Sequence, residues 1–383
     1  MSEQPSAVTI HGYCDPAFEA VHEAFETNFR EHGDVGASVC VSVGGETKVD
    51  LWGGVKDAKT GAPWVEDTIV NVYSTTKTMA AACLLLLADR GELDFSERVA
   101  HYWPEFAANG KGDIPVAQLM SHSAGLSGME EPATAEQVYD WEFMVGALAR
   151  QAPWWEPGTK SGYHALTQGF LQGEVLRRIT GQTLGTFFRK ELAEPLGADF
   201  HIGTPAEHHD RIGTLVPPKV GPEQGDSNPD SIAARTFRNP AINARDSRTT
   251  GWREAEIPAA NGHGNARSVV AVQSVFANGG MGNGKQVLSE AGVATLFEEQ
   301  ISGKDLVLGV PLRYGMGYGL TSAVMPMGPN QRIAYWGGWG GSSVVIDADA
   351  QLCVSYVMNR MESGLMGDPR GFSLLQGAYS ALL

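Results

Sequence analysis

Residues Met79 to Ala88 are apolar without interruption, and no Gly or Pro falls between Thr78 and Ala88. A stretch so rich in Ala and Leu, closed by Arg90-Gly91, predicts a helix that is apolar nearly all round and therefore enclosed. It is headed by Ser74-Thr75-Thr76-Lys77, the only Ser-x-x-Lys in the chain. A spacing of three puts the Ser74 hydroxyl and the Lys77 amine on one face, one turn apart, with Ser74 in the first helical turn. There, unpaired N–H groups and the helix dipole favour developing negative charge. A serine needs a neighbouring base to become a nucleophile, and a desolvated lysine can be that base. The plainer reading is an N-capping serine before a surface lysine. A helix with no solvent face to offer the lysine favours the catalytic one.

The 383 residues suffice for a large core and two structural lobes. With 44 acidic against 28 basic side chains, a nucleic acid or an anionic membrane is a poor partner. Cys14, Cys40, Cys83 and Cys353 lie far apart and lack metal-ligand spacing; the last three sit in apolar runs and read as buried free thiols. Met1 to Tyr13 lacks the basic start and apolar core of a signal peptide, and the longest apolar run is too short to span a bilayer. A reducing cytoplasm is the expected location.

Along the chain, Asp15-Pro16 opens a helix with the stripe Phe18, Val21, Phe25 and Phe29. Ala37 to Val43 turns at Gly44-Gly45 into Thr47 to Trp52, a β-hairpin. Helical patterns dominate from Ser96 to about Thr250, and Val216 to Gly264 has little periodicity. A helix is expected over Ser268 to Asn278, strands over Arg332 to Trp336, Ser342 to Ile346 and Leu352 to Val357, and a last helix from Phe372. Strands at both ends around a helical middle predict an α/β fold: one antiparallel sheet from both termini, flanked by helices, with a mainly helical domain inserted. The expected boundaries are 1–95 with 262–383 for the sheet domain and 96–261 for the insert, including an irregular rim at 216–261.

A serine/lysine pair also needs a second proton-transfer group and an oxyanion hole. Tyr163 follows the loop Trp155 to Gly162, and a glycine-rich strand start, Tyr335-Trp336-Gly337-Gly338-Trp339-Gly340-Gly341-Ser342, lies near the C-terminus. This order resembles the serine β-lactamase and penicillin-binding-protein superfamily, with its Ser-x-x-Lys, Tyr-x-Asn and Lys-Thr-Gly. The resemblance is to the class C-like branch that contains the family VIII carboxylesterases. It extends from about Val35 to the C-terminus through Glu66-Asp67-Thr68, Leu119 to Leu126, Glu194-Pro195-Leu196-Gly197, Ala277-Asn278-Gly279-Gly280 and Val357-Met358-Asn359-Arg360. It implies a β-lactamase-like fold, Ser74 as nucleophile, Lys77 and Tyr163 sharing the proton work, and backbone N–H groups of Ser74 and Trp339 as the oxyanion hole.

The departures point to substrate. Tyr163 is followed by His164-Ala165, so the amide of Tyr-x-Asn is missing. Trp336-Gly337-Gly338 stands at the Lys-Thr-Gly position and removes a cation that faces the substrate carboxylate in relatives. Neutral esters are therefore the expected substrates, held by Trp336, Gly337 and Gly338 with Trp155 and His164; Trp154, Trp155, Trp336 and Trp339 suggest an apolar pocket. His164 carries less weight, since neighbours on a helix point apart. His122 reads as structural, and His208, His209 and His263 as surface or loop residues. Lys59-Thr60-Gly61 precedes the serine and reads as a turn, and Gly279 to Lys285 reads as a hairpin turn rather than a phosphate loop. The expectation is a serine carboxylesterase acting on small neutral esters, with no metal or organic cofactor. An acyltransferase, weak β-lactamase or D-amino-acid peptidase on the same site, or a silent scaffold, are the alternatives.

Overall fold

The computed structural model describes residues 8–221 and 228–383. Its centre is a ten-stranded antiparallel sheet. The strands are β1 (Ile10–Cys14), β2 (Gly36–Val43), β3 (Glu46–Asp57), β4 (Ile301–Lys304), β5 (Pro311–Tyr314), β6 (Gly319–Leu320), β7 (Ile333–Gly337), β8 (Ser343–Asp347) and β9 (Leu352–Met358). They lie in the order β1-β3-β2-β9-β8-β7-β6-β5-β4, with Ala62–Pro63 a short addition beside β3. The β2–β9 pairing, from Val43 opposite Leu352 to Ala37 opposite Met358, joins the two ends of the chain. Every residue of β9 is buried, so both faces of the sheet are covered there.

The main helices are α1 (Glu19–Arg30), α2 (Thr76–Asp89), α3 (Thr167–Thr180), α4 (Ala266–Ala277) and α5 (Pro369–Ser380), of which α1, α4 and α5 lie on the sheet. α1 and α5 pack together, close enough that a Cβ on Gly377 would meet the Ala20 backbone at 3.0 Å. α4 lies across β2, β8 and β9. α2 is buried from Thr76 through Leu87 and touches α3, α4, Leu184–Phe188 and Glu290–Leu296. An all-apolar helix is enclosed because it has no face to give to water.

The turn at Gly44-Gly45, the three C-terminal strands and α4 fall where periodicity puts them, within a residue or two, while the second hairpin strand runs on past Trp52 to Asp57. Three features differ. β1 lies in the N-terminal segment for which no strand was expected; it is an edge strand whose side chains are mostly exposed, so it carries no hydrophobic signal. β4, β5 and β6 were not anticipated, because their short pieces are separated by Gly and Pro. The last helix starts at Pro369, capped by Asp368, rather than at Phe372. Within the irregular stretch Val216 to Gly264, Ile232–Arg238 and Thr250–Glu254 are short helices, while residues 222–227 lie outside the described residues.

Lys59-Thr60-Gly61 is a turn in which the Asp57 carboxylate accepts from the Lys59 and Thr60 amides at 2.8 and 2.9 Å. Met281–Gly282 and Lys285–Gln286 form a hairpin about Asn283-Gly284, both with positive φ. Among the described residues no helix is long and apolar enough to cross a membrane, and no cluster of His, Cys, Asp and Glu could hold a metal ion.

Candidate active site

Ser74 does not lie in α2 itself. It sits in a 3₁₀ turn, Tyr73–Thr75, immediately before the helix. Tyr73 has φ 45°, a left-handed conformation that a bulky residue takes only when its surroundings impose it. Its ring is wedged against Trp339 and Trp252, with centroids 5.1 and 6.1 Å away. This corner takes the chain from the short strand Val70–Asn71 into α2, with Ser74 at the bend.

Lys77, one turn on and 2 % exposed, reaches back so that its Nζ is 3.1 Å from Ser74 Oγ. Its other two neighbours are carbonyl oxygens, Ala165 at 2.7 Å and Ala259 at 2.9 Å. Burial alone holds the amine well below its usual range. A neutral amine has two N–H bonds and one lone pair. With both N–H bonds directed at carbonyls, the lone pair is left facing Ser74.

Tyr163 completes the group. Its hydroxyl hydrogen-bonds Ser74 Oγ, and its ring centroid lies 4.8 Å from Lys77 Nζ. Burial pushes the phenol above its ordinary value, Ser74 and Trp336 pull it back and the Asp305 charge pushes it up again. Three successive amides fix the loop that carries it. Gly162 N–H donates to the His122 carbonyl at 2.9 Å, Tyr163 N–H to Asp305 Oδ1 at 3.0 Å, and His164 N–H to His122 Nδ1 at 3.0 Å.

The end of β7 abuts the nucleophile turn. Gly338 N–H donates to the Ser342 carbonyl at 2.7 Å, and Ser342 Oγ reaches both the Val72 carbonyl and Thr75 Oγ1. A Cβ on Gly338 would stand 2.1 Å from the Val72 oxygen and 3.2 Å from the Ser74 nitrogen, so only glycine fits. Trp339 follows directly in the turn, closed by Gly341 N–H on the Gly338 carbonyl at 3.1 Å.

Several expected substrate contacts are redirected. Both ring nitrogens of His164 serve the backbone: Nε2 accepts from Leu126 N–H at 3.1 Å, so Nδ1 donates to the Gly162 carbonyl at 2.6 Å. Burial pushes that imidazole down to about 3. Trp155 donates its indole N–H to the Lys160 carbonyl and presses on Gly162, which makes it a prop for the loop. Gly337 faces Met366 and Gly367. Trp336 is 3 % exposed, its ring packed among His122, Tyr163 and Tyr314 at 5.7, 5.6 and 5.9 Å, so it backs the phenol. His263, expected at the surface or in a loop, is buried in the short strand His263–Gly264, with Nδ1 on Thr204 Oγ1.

Half-buried apolar side chains close round Tyr163 and Trp336: Ile232, Phe237, Leu308, Met325 and Met366. Ile232 and Phe237 come from the aperiodic stretch, where three-residue patterns are too short to announce a helix. Asp305 was also missed. Its signal was an aspartate opening Leu-Val-Leu-Gly, which reads only as a turn until the fold brings it to Tyr163.

A model of the family described as Beta-lactamase matches residues 23–377. A curated relative, Esterase/beta-lactamase LipL of Mycobacterium tuberculosis, is 35% identical over 95% of this chain and 86% of its own. A solved family VIII carboxylesterase is 42% identical, with a TM-score of 0.92 over 97% of this chain and 100% of that one. A penicillin-binding protein homologue from Caulobacter crescentus is 38% identical, with a TM-score of 0.91 over the same shares.

Proposed function

The chain belongs to the β-lactamase family, and from that membership we propose that it is a serine carboxylesterase hydrolysing small neutral esters through an acyl-Ser74 intermediate. The observation that carries this is Ser74 Oγ standing between Lys77 Nζ and the Tyr163 hydroxyl, with both N–H bonds of the neutral Lys77 amine engaged by carbonyls. Neutral Lys77 takes the Ser74 proton as Oγ attacks the ester carbonyl. The N–H groups of Ser74 and Trp339 receive the oxyanion, each such donor lowering the barrier by roughly 3–4 kcal/mol. Tyr163, protonated in the resting site, hands a proton to the departing alcohol and is resupplied from Lys77. Water then repeats the sequence on the acyl-serine and releases the acid.

The ester preference rests on residues that are missing. No lysine stands at Trp336 and no asparagine at Ala165, so a substrate carboxylate finds no ion pair. Apolar Ile232, Phe237, Leu308 and Met366 suit an uncharged acyl or alkyl group. The names of two relatives, an esterase/β-lactamase and a family VIII carboxylesterase, support the same reading. The first name also favours slow β-lactam turnover as a side activity. Replacement Ser74→Ala is expected to lower p-nitrophenyl butyrate hydrolysis by about four orders of magnitude or more; near-native turnover would overturn the assignment.

The division into a sheet domain, 1–95 with 262–383, and an inserted lobe, 96–261, remains our proposal. It puts Ser74 and Lys77 on one unit and Tyr163 on the other. A cytoplasmic location is likewise proposed, supported by four free thiols, three of them buried.

A further inference from the structure

We propose that Asp305 is a positioning residue that holds Tyr163 in hydrogen-bonding reach of Ser74, acting through the Tyr163 amide and through the aromatic stack behind the phenol. This rests on the catalytic reading of Tyr163 given above. Asp305 is wholly buried in the loop between β4 and β5, and among the described residues it has no salt-bridge partner. A buried carboxylate without a cation is costly unless every lone pair is used. Here Oδ1 accepts from the Tyr163, Val307 and Leu308 amides at 3.0, 2.9 and 2.9 Å, and Oδ2 accepts from the Tyr314 hydroxyl at 3.0 Å.

Two of those four bonds close the local turn, a task Asn or Ser would also perform. The other two run outward to the site. One fixes the peptide of Tyr163 itself. The second anchors Tyr314, whose ring packs on His122 and Trp336, the two rings that also flank Tyr163. Leu306 N–H adds a bond to the Ser161 carbonyl at 2.9 Å, so the loop is tied to the Tyr163 turn both at Ser161 and at Tyr163 itself. The groups facing the phenol are Ser74 and Lys77 from the nucleophile turn and helix, His122, Trp336 and Asp305. Burial is the main cause that favours the protonated phenol, the form that donates to the leaving alcohol, and the Asp305 carboxylate adds to it.

The test is a double-mutant cycle read as kcat and KM on p-nitrophenyl butyrate. Asp305→Ala is expected to lower kcat by roughly ten- to a hundredfold with KM within about twofold, the scale of an ångström-level misplacement of a reacting group. Asp305→Asn, which keeps an oxygen for the three amides, should recover most of that loss. In a Tyr163→Phe background, where no hydroxyl remains to be placed, Asp305→Ala should cost less than about twofold more. If the alanine variant does not fold, Asp305→Glu, which keeps the charge but shifts the oxygens by one methylene, makes the same comparison. Equal losses in both backgrounds, or no loss in either, would overturn the proposal. A Tyr163→Phe enzyme with native kcat would sink the reading of Tyr163 and this inference with it, while Ser74→Ala tests the nucleophile independently.

Discussion

Lys77 has three oxygen neighbours and no carboxylate among them, unlike Lys48, which pairs with Glu46. Because burial lowers its folded pKa below 10.5, the unfolded chain binds more protons across that window, and stability rises with pH through it. Activity needs the same neutral amine. The profile of kcat/KM against pH should therefore rise through an acid limb belonging to Lys77, and a profile with no acid limb anywhere in the range where the protein stays folded would contradict its role as base. His164 works in the same direction on stability: held neutral to about 3, it resists a proton that the unfolded chain accepts near 6.5, so the midpoint of thermal unfolding should fall as pH drops from 6.5 toward 3. At Gly338 the constraint is steric. Gly338→Ala should cost at least about tenfold in kcat, since its Cβ has no place between Val72 and Ser74. Ser74, Lys77 and Tyr163 were legible from spacing and resemblance together. The division of labour proposed for Lys77 and Tyr163 was not, because it is argued from carbonyls of Ala165 and Ala259 that no side-chain pattern records.

At the scale of elements, α2 is the part most readable from sequence and the one most dependent on its neighbours. Leu85, buried in that helix, should cost about 2–5 kcal/mol when cut to alanine, measured by urea unfolding. α5 contributes differently. From its first turn Arg370 reaches Asp34 at 2.8 Å, the Arg360 carbonyl at 2.9 Å and, at 2.8 Å, the carbonyl of Gly340 in the turn beside Trp339. Arg370→Met leaves Asp34 buried beside Asp368, and about 3–5 kcal/mol of stability should be lost. Central strands announce themselves through continuous burial, whereas β1 and β4 to β6 are edge or broken strands. Their pairing is backbone work, and backbone hydrogen bonds leave no mark on side-chain periodicity.

Across the whole molecule, sheet strands from both ends of the chain converge on one turn, and the segment between them supplies Tyr163 and part of the apolar wall. The formal charge of −16 is carried mostly by exposed side chains, so kcat/KM for an uncharged ester should change less than about twofold between low and high ionic strength. An ester bearing a free carboxylate should be the poorer substrate. The central claim is that Ser74 is an activated nucleophile that turns over neutral esters. Intact-protein mass spectrometry after a fluorophosphonate, with p-nitrophenyl acetate and butyrate turnover followed in parallel, tests it most directly. The account predicts one stoichiometric adduct on Ser74 and rapid ester hydrolysis abolished by it; an unlabelled protein, or an adduct elsewhere with hydrolysis intact, would contradict it.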